Sequence, residues 1–171
     1  LEKEIKIRKL TEEKERRFGE IIKQAEDHIV LTDAKGKIEY VNPALMKFTG
    51  FSGKDVSGKT LRIFKSDKTK KSFYEDLWET ITKGETFQGE FVNKRKDESV
   101  YIAQEVVVPL FNTENEITHY ASIGRDITAK RNTEEQLIYS LENERARISK
   151  ELHDGIGQTA TASKYSLMAL L

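Results

Sequence analysis

Apolar and polar positions follow three regimes along the 171 residues. From Leu1 to about residue 26, the apolar positions Leu1, Ile5, Leu10, Phe18, Ile21, Ile22 and Ala25 suit one stripe on a helix, interrupted at Lys14 and Arg17. Oppositely charged neighbours at helical spacing keep the other faces polar. The pattern predicts an amphipathic helix that pairs with a copy of itself, its N-terminal part (1–18) standing apart from the domain that begins at residue 19.

The middle changes period. His28–Thr32 and Lys37–Val41 are β-rich runs around Asp33-Ala34-Lys35-Gly36, where Gly36 can take the positive φ of a tight hairpin. Asn42-Pro43 predicts an N-cap followed by proline in the first helical turn, and Gly50 predicts the stop. Residues 52–66 read as mixed and turn-like. A helix is predicted at about 68–83, with Phe73, Leu77, Trp78 and Ile81 on one side and Gly84 ending it. Three longer strands follow, Phe87–Lys94, Val100–Leu110 and Ile117–Asp126, with turns at 96–99 and 112–115. Two strands, a helical middle and three antiparallel strands predict an α+β domain, a five-stranded antiparallel sheet with helices over one face.

From Thr128 the period is helical again. Ile127, Arg131, Glu134, Ile138, Leu141, Arg145, Ile148 and Leu152 alternate steps of four and three, a coiled-coil seam with polar interruptions. An isolated helix of this kind needs tertiary or quaternary support, which predicts a parallel homodimer.

Composition narrows the chemistry. Basic and acidic side chains number 29 each, for a net charge of zero. No basic block or recognition helix offers a footprint for nucleic acid. Cysteine is absent, which excludes disulfides, thiolate metal sites, iron–sulfur clusters and thiol nucleophiles. The apolar runs are a few residues long and no signal peptide opens the chain, so a cytoplasmic location is expected, with membrane contact only through an upstream segment. The chain starts at Leu1 and stops inside Ser166–Leu171, which reads as part of something longer.

Two stretches resemble known families. Ile29–Asp33, Gly36–Ala44, Thr49-Gly50-Phe51, Gly89–Asp97 and Asp126-Ile127-Thr128, in this order and spacing, make residues 19–128 similar to a PAS domain. The resemblance implies a sensory, dimerising module whose signal leaves through Asp126, Ile127 and Thr128 into a coiled-coil helix at 129–145. Glu144–Gln158 resembles the phosphoacceptor helix of sensor histidine kinases, in the subfamily whose motif runs His-Asp-x-x-x-Gln, here His153, Asp154 and Gln158. Residues 146–171 would then be the first helix of a dimerisation and phosphoacceptor domain, without its second helix. No ATP-binding segment is recognisable, so ATP would be held by a domain absent here and the fragment alone would be inactive.

His153 lies one step past Leu152, so the helix turns it about 100° off the apolar seam, toward the flank of a dimer. The adjacent Asp154 can serve as general base, with Glu151 as rival; the family resemblance favours Asp154. Gln158 shares a face with Asp154, and the resemblance implies that it positions the water that hydrolyses a phosphorylated response-regulator receiver domain. The alternative is a non-catalytic PAS and coiled-coil interaction module.

For the sensed ligand, residues 68–83 contain no histidine, against the usual haem PAS, and no cysteine serves a light-driven flavin adduct. Gly84–Asp97 resembles flavin-binding redox PAS domains, with Phe87 where those usually carry Trp. That leaves flavin adenine dinucleotide (FAD) as an open cofactor, in a pocket lined by Trp78, Asn93 and Gln104, beside a plain aromatic core that holds no ligand. His28 and His119, near strand ends, are expected to make surface hydrogen bonds rather than to bind metal.

Overall fold

The structure is a computed structural model that describes the backbone of residues 2–168 and the side chains of residues 3–153. The chain divides into two compact units, residues 1–128 and 129–171.

In the first unit, helix α1 (Glu2–Gln24) runs unbroken past the boundary expected at residue 18. Strands β1 (His28–Asp33) and β2 (Ile38–Val41) form the first hairpin. Asp33 closes it: its carboxylate accepts the N–H groups of Lys35 and Lys37, both at 2.8 Å, and Gly36 sits at φ +76°. Helix α2 (Pro43–Thr49) starts at the Asn42 cap and ends on Gly50 at φ +76°, as its flanking residues predict. The turn-like stretch holds a short helix α3 (Gly53–Val56) and a 3₁₀ turn at Leu61–Phe64. Helix α4 (Lys71–Thr82) starts three residues later than the apolar pattern suggests. Strands β3 (Phe87–Lys94), β4 (Val100–Phe111) and β5 (Ile117–Asp126) complete the sheet, in the order β2-β1-β5-β4-β3 with every pair antiparallel.

One face of the sheet is buried. Leu77 and Ile81 of α4 pack on Phe87, Phe91, Val107 and Tyr120, while Leu45, Val56 and Phe64 pack on Val30, Ile38 and Val41. Trp78, predicted on the buried side of α4, is 41% exposed; its ring lies over Gly36 and meets Tyr120 edge-on at 5.8 Å. Gly36 therefore serves twice, for its backbone sign and because a Cβ there would come within 3.0 Å of the indole.

A single side chain ties the sheet to its helices. Asn42 is fully buried, and its carboxamide oxygen accepts the N–H groups of Ile29 (3.0 Å) and Leu45 (3.2 Å). Its amide group donates to the carbonyls of Ile22, Ala25 and Asp27, the last at 2.8 Å. The end of α1, the entry to β1 and the cap of α2 thus meet on one residue.

Helix α5 (Thr128–Met168) takes its first residue from the first unit and forms the second from Ala129 on. Its described apolar side chains Leu137, Ile138, Leu141, Ile148 and Leu152 are exposed.

Asn42→Ala would orphan several buried or part-buried backbone groups at once, so a loss of about 3 kcal/mol is expected from urea unfolding. A loss within about 0.5 kcal/mol, the range of ordinary surface changes, would contradict the hub.

Candidate functional site

Between the sheet and α4 lies a cavity of about 1000 Å³. β4 supplies its polar floor through the two-residue period of a strand: Tyr101, Ala103, Glu105 and Val107 face inward. Gln104, expected in this pocket, falls on the opposite face and is exposed; its neighbour Glu105 takes the inward place. Trp78 and Asn93 do line the cavity.

Glu105 is half-buried, with the surface it keeps lining the cavity. Asn93 Nδ2 donates to one carboxylate oxygen at 3.0 Å and Ser122 Oγ to the other at 2.9 Å. Burial pushes the Glu105 carboxyl up to about 7, against the opposing pull of the Ser122 and Asn93 hydrogen bonds. Its cross-strand partner is Gly124, where a Cβ would come 2.8 Å from Glu105 Cγ. The absent side chain on β5 makes the room that the carboxylate occupies.

The walls are aromatic, with Tyr74, Trp78, Phe91, Tyr101 and Tyr120 among the lining residues. The buried Tyr74 hydroxyl has no hydrogen-bond partner among the described residues. Burial raises the Tyr74 pKa against the opposing pull of nearby Thr69, whose own hydroxyl donates to Val92 O at 3.2 Å. At the rim stand Lys35, Arg62, Lys65 and Lys71, with Glu75 paired to Lys71 at 2.9 Å.

His28 corrects a second expectation. It is buried, not a surface hydrogen-bonder: its ring stacks on Phe48 at 4.6 Å and lines the cavity, and burial lowers its pKa. Phe48 and Tyr101 in turn flank the Arg95 guanidinium, at 4.3 and 5.0 Å. His119 keeps to the surface, 3.3 Å from Glu39.

Asp126, Ile127 and Thr128 are pinned to the same strand. Ile127 N–H donates to Ile102 O at 2.8 Å, and Ile102 N–H donates to Thr128 Oγ at 2.9 Å. The Asp126 carboxylate caps the Thr128 N–H at 2.9 Å, and Arg95 approaches it at 4.0 Å. Arg95 thus touches both the Tyr101 ring, which lines the cavity, and the carboxylate that starts α5.

On α5, His153 is exposed. Glu151, the rival base, is held by Arg147 at 2.6 Å. Asp154 and Gln158 lie outside the residues whose side chains are described.

Glu105, Ser122 and Tyr74 are the site residues that sequence reasoning misses. The only signal for Glu105 is strand parity counted from Tyr101, blurred by the apolar run Val106-Val107-Val108, which marks no face.

A five-stranded antiparallel sheet that closes a polar-floored cavity beneath its helices defines a small α+β domain. Residues 26–129 match the PAS domain family, and the chain belongs to it. The nitrogen fixation regulatory protein of Klebsiella oxytoca is 30% identical over 128 residues, covering 75% of this chain and 26% of that protein. The aerotaxis receptor of Escherichia coli is 26% identical over 73% of this chain and 24% of its own length. Hybrid signal transduction histidine kinase L of Dictyostelium discoideum is 28% identical over 81% of this chain, but only 8% of that protein. The chain therefore spans about a quarter or less of these relatives. Among solved structures, an RNA-binding light-oxygen-voltage receptor superposes with a TM-score of 0.67 at 20% identity, over 73% of this chain and 36% of that one. A PAS domain from Colwellia psychrerythraea gives 0.62 at 20% identity, over 67% and 97%. The structural likenesses carry the fold. Among the described residues no helix is long and apolar enough to cross a membrane.

Glu105 makes stability depend on pH. Its folded pKa of about 7 lies above the ordinary 4.5, so the folded chain holds a proton that the unfolded chain has released. The contribution is intact below pH 4.5 and declines as pH rises to about 7. Buried His28 acts with the opposite sign, costing stability as pH falls through the imidazole range, so the comparison is made between chains at each pH. Glu105→Gln is expected to gain stability relative to the native chain between about pH 5 and pH 8 in urea unfolding. A difference that stays constant across that range would contradict the assignment.

Proposed function

We propose that this chain is the sensory and dimerising part of a two-component sensor histidine kinase. The PAS cavity receives the input and α5 carries it to His153. The observation that carries this reading is one unbroken helix that starts on the strand-pinned Thr128 and bears an exposed His153. The kinase among the relatives supports it at the level of signalling proteins.

In this reading, a nitrogen of the His153 ring attacks the γ-phosphorus of ATP held by a kinase catalytic domain. The bond to the β-phosphate oxygen breaks, ADP leaves, and Asp154 takes the ring proton. The phosphoryl group then passes to an aspartate of a response-regulator receiver domain, and Gln158 positions the water that removes it again. Arg147 already engages Glu151, which supports Asp154 as the base. Two copies pair through the exposed stripes on α1 (Ile5, Leu10, Phe18, Ile21) and α5 (Ile138, Leu141, Ile148, Leu152). The signal passes from the cavity wall through Arg95 to Asp126, Ile127 and Thr128, and from there into the packing of the paired helices.

FAD is the cofactor this reading leaves open, supported by the volume of the cavity and by the unpartnered Tyr74 hydroxyl among its lining residues. Trp78 and Asn93 would flank its ring, with Glu105 in the place expected of Gln104. Bound there, it would supply redox chemistry. A non-catalytic interaction module is the second reading, favoured by relatives named as a regulatory protein and a receptor rather than as kinases.

Phosphate incorporation from labelled ATP, with the catalytic domain supplied, tests the assignment: His153→Gln is expected to abolish it, and persistent labelling would leave the interaction module as the reading. In the full-length kinase, Gln158→Ala is expected to keep autophosphorylation and lose phosphatase activity; equal loss of both would remove Gln158 from its role.

A further inference from the structure

The start of α5 is held by a carboxylate that two basic groups face. Asp126 caps the Thr128 N–H through one oxygen at 2.9 Å, while its other oxygen faces Arg95 Nη2 at 4.0 Å, the outer limit of an ion pair. Asp126 is also the foremost of two carboxylates that act on the buried His28 ring. The second, Asp27, already accepts two hydrogen bonds from Arg125, at 2.7 and 2.9 Å. Asp126 is therefore the carboxylate left for an imidazolium to gain.

The same two bases share a ring. The His28 imidazole stacks on Phe48 at 4.6 Å, and the Arg95 guanidinium lies over that ring at 4.3 Å and over Tyr101 at 5.0 Å. Tyr101 meets His28 edge-on, 6.4 Å away. With the imidazole neutral, the rings hold a single cation, which suits their faces. A proton on His28 adds a second cation in a partly buried place that water screens little, and the two then repel each other. Neither ring offsets this: Phe48, from α2, is uncharged, and burial raises the Tyr101 phenol so that it stays neutral. Glu105, further along β4, acts on Tyr101.

Which base yields follows from how each is anchored. His28 is fixed in the interior by the pairing of β1 with β5, opposite Gly124. Arg95 stands at the exposed turn between β3 and β4, where the Ser99 hydroxyl accepts from its guanidinium at 3.1 Å. Its side chain reaches solvent without any strand moving.

We propose that His28 and Arg95 form a proton-driven exchange beside the start of α5: protonation of His28 turns Asp126 towards the imidazolium, drives Arg95 off Phe48 and Tyr101 into solvent, and loosens the cap on Thr128. The proposal rests on the exit through Asp126, Ile127 and Thr128 given above, and adds to it a second input, acid, that needs no ligand in the cavity.

NMR titration of the intact chain from about pH 8 to about pH 5 tests it. The His28 ring is expected to titrate below its ordinary 6.5, because burial outweighs the two carboxylates. The Arg95 side-chain protons, shifted by the rings they lie over, should move towards the values of a free arginine with the same midpoint. Over that interval the protection of the Thr128 amide, corrected for the intrinsic pH dependence of exchange, should fall about threefold or more. His28→Phe keeps an aromatic ring and removes the proton. It should lose the part of both responses that follows the His28 midpoint, while any change due to Glu105, near pH 7, stays. Arg95→Gln serves as the second variant should the first fail to fold: removing the neighbouring cation should raise the His28 midpoint by about half a pH unit or more. A His28 ring that stays neutral throughout, Arg95 protons that stay in place while His28 titrates, Thr128 protection indifferent to His28→Phe, or a midpoint unmoved by Arg95→Gln would overturn the proposal. Labelling of His153 is read in a separate assay, so the exchange and the kinase reading fall separately.

Discussion

The register of β4 against β5 is the constraint on which the rest depends. Glu105 pairs with Gly124 and Val107 with Ser122, so the cross-strand neighbour brings no side chain against the carboxylate and a hydroxyl stands nearby to donate to it. The same strand offers Ile102, on the opposite parity, to the backbone of Ile127 and the hydroxyl of Thr128. One strand therefore faces the cavity with its odd residues and anchors the exit helix beside its even ones. A slip of one residue would exchange Glu105 for Gln104 and undo both arrangements.

The interior polarity is costly, and the fold arranges compensation. A carboxylate taken from water without partners costs several kcal/mol, so a buried one either finds donors or keeps its proton. Here it does some of each: Asn93 and Ser122 supply one hydrogen bond apiece, and burial raises the pKa to about 7. Such a group responds to whatever enters the cavity, because a donor or a positive charge beside it changes which protonation state is favoured. Asn42 illustrates the other solution, in which every hydrogen-bonding atom of the amide is used inside the protein and nothing is left to respond.

The two terminal helices raise a different question of energetics. Ion pairs such as Arg8–Glu12, Arg17–Glu13 and Arg147–Glu144 sit in solvent, where screening leaves each of them little to contribute. The stripes of Ile, Leu and Phe along α1 and α5 represent more free energy than those pairs can supply, and burying them is the larger gain. That comparison of magnitudes is why association of two copies, rather than a solvated single helix, is the reading we favour.

Much is legible in the residues themselves. Turn glycines, the Asn42-Pro43 cap and the change of period at Phe87 place every strand and both main helices of the first unit, because local backbone preference and burial of one face act over a few residues at a time. The polar cavity is less legible. Whether residue 104 or 105 points inward depends on the pairing of β4 with two other strands, and Val106-Val107-Val108 carries no alternation from which to count. Likewise His28 has the pattern of a strand-end surface residue, and it is Phe48, brought over it by α2, together with Tyr101 of β4, that covers its ring. Sequence alone determined the elements and the family they belong to, since those follow from contacts near in the chain. Tertiary structure decided which polar groups are buried together, since burial is a property of neighbours that the chain brings in from far away.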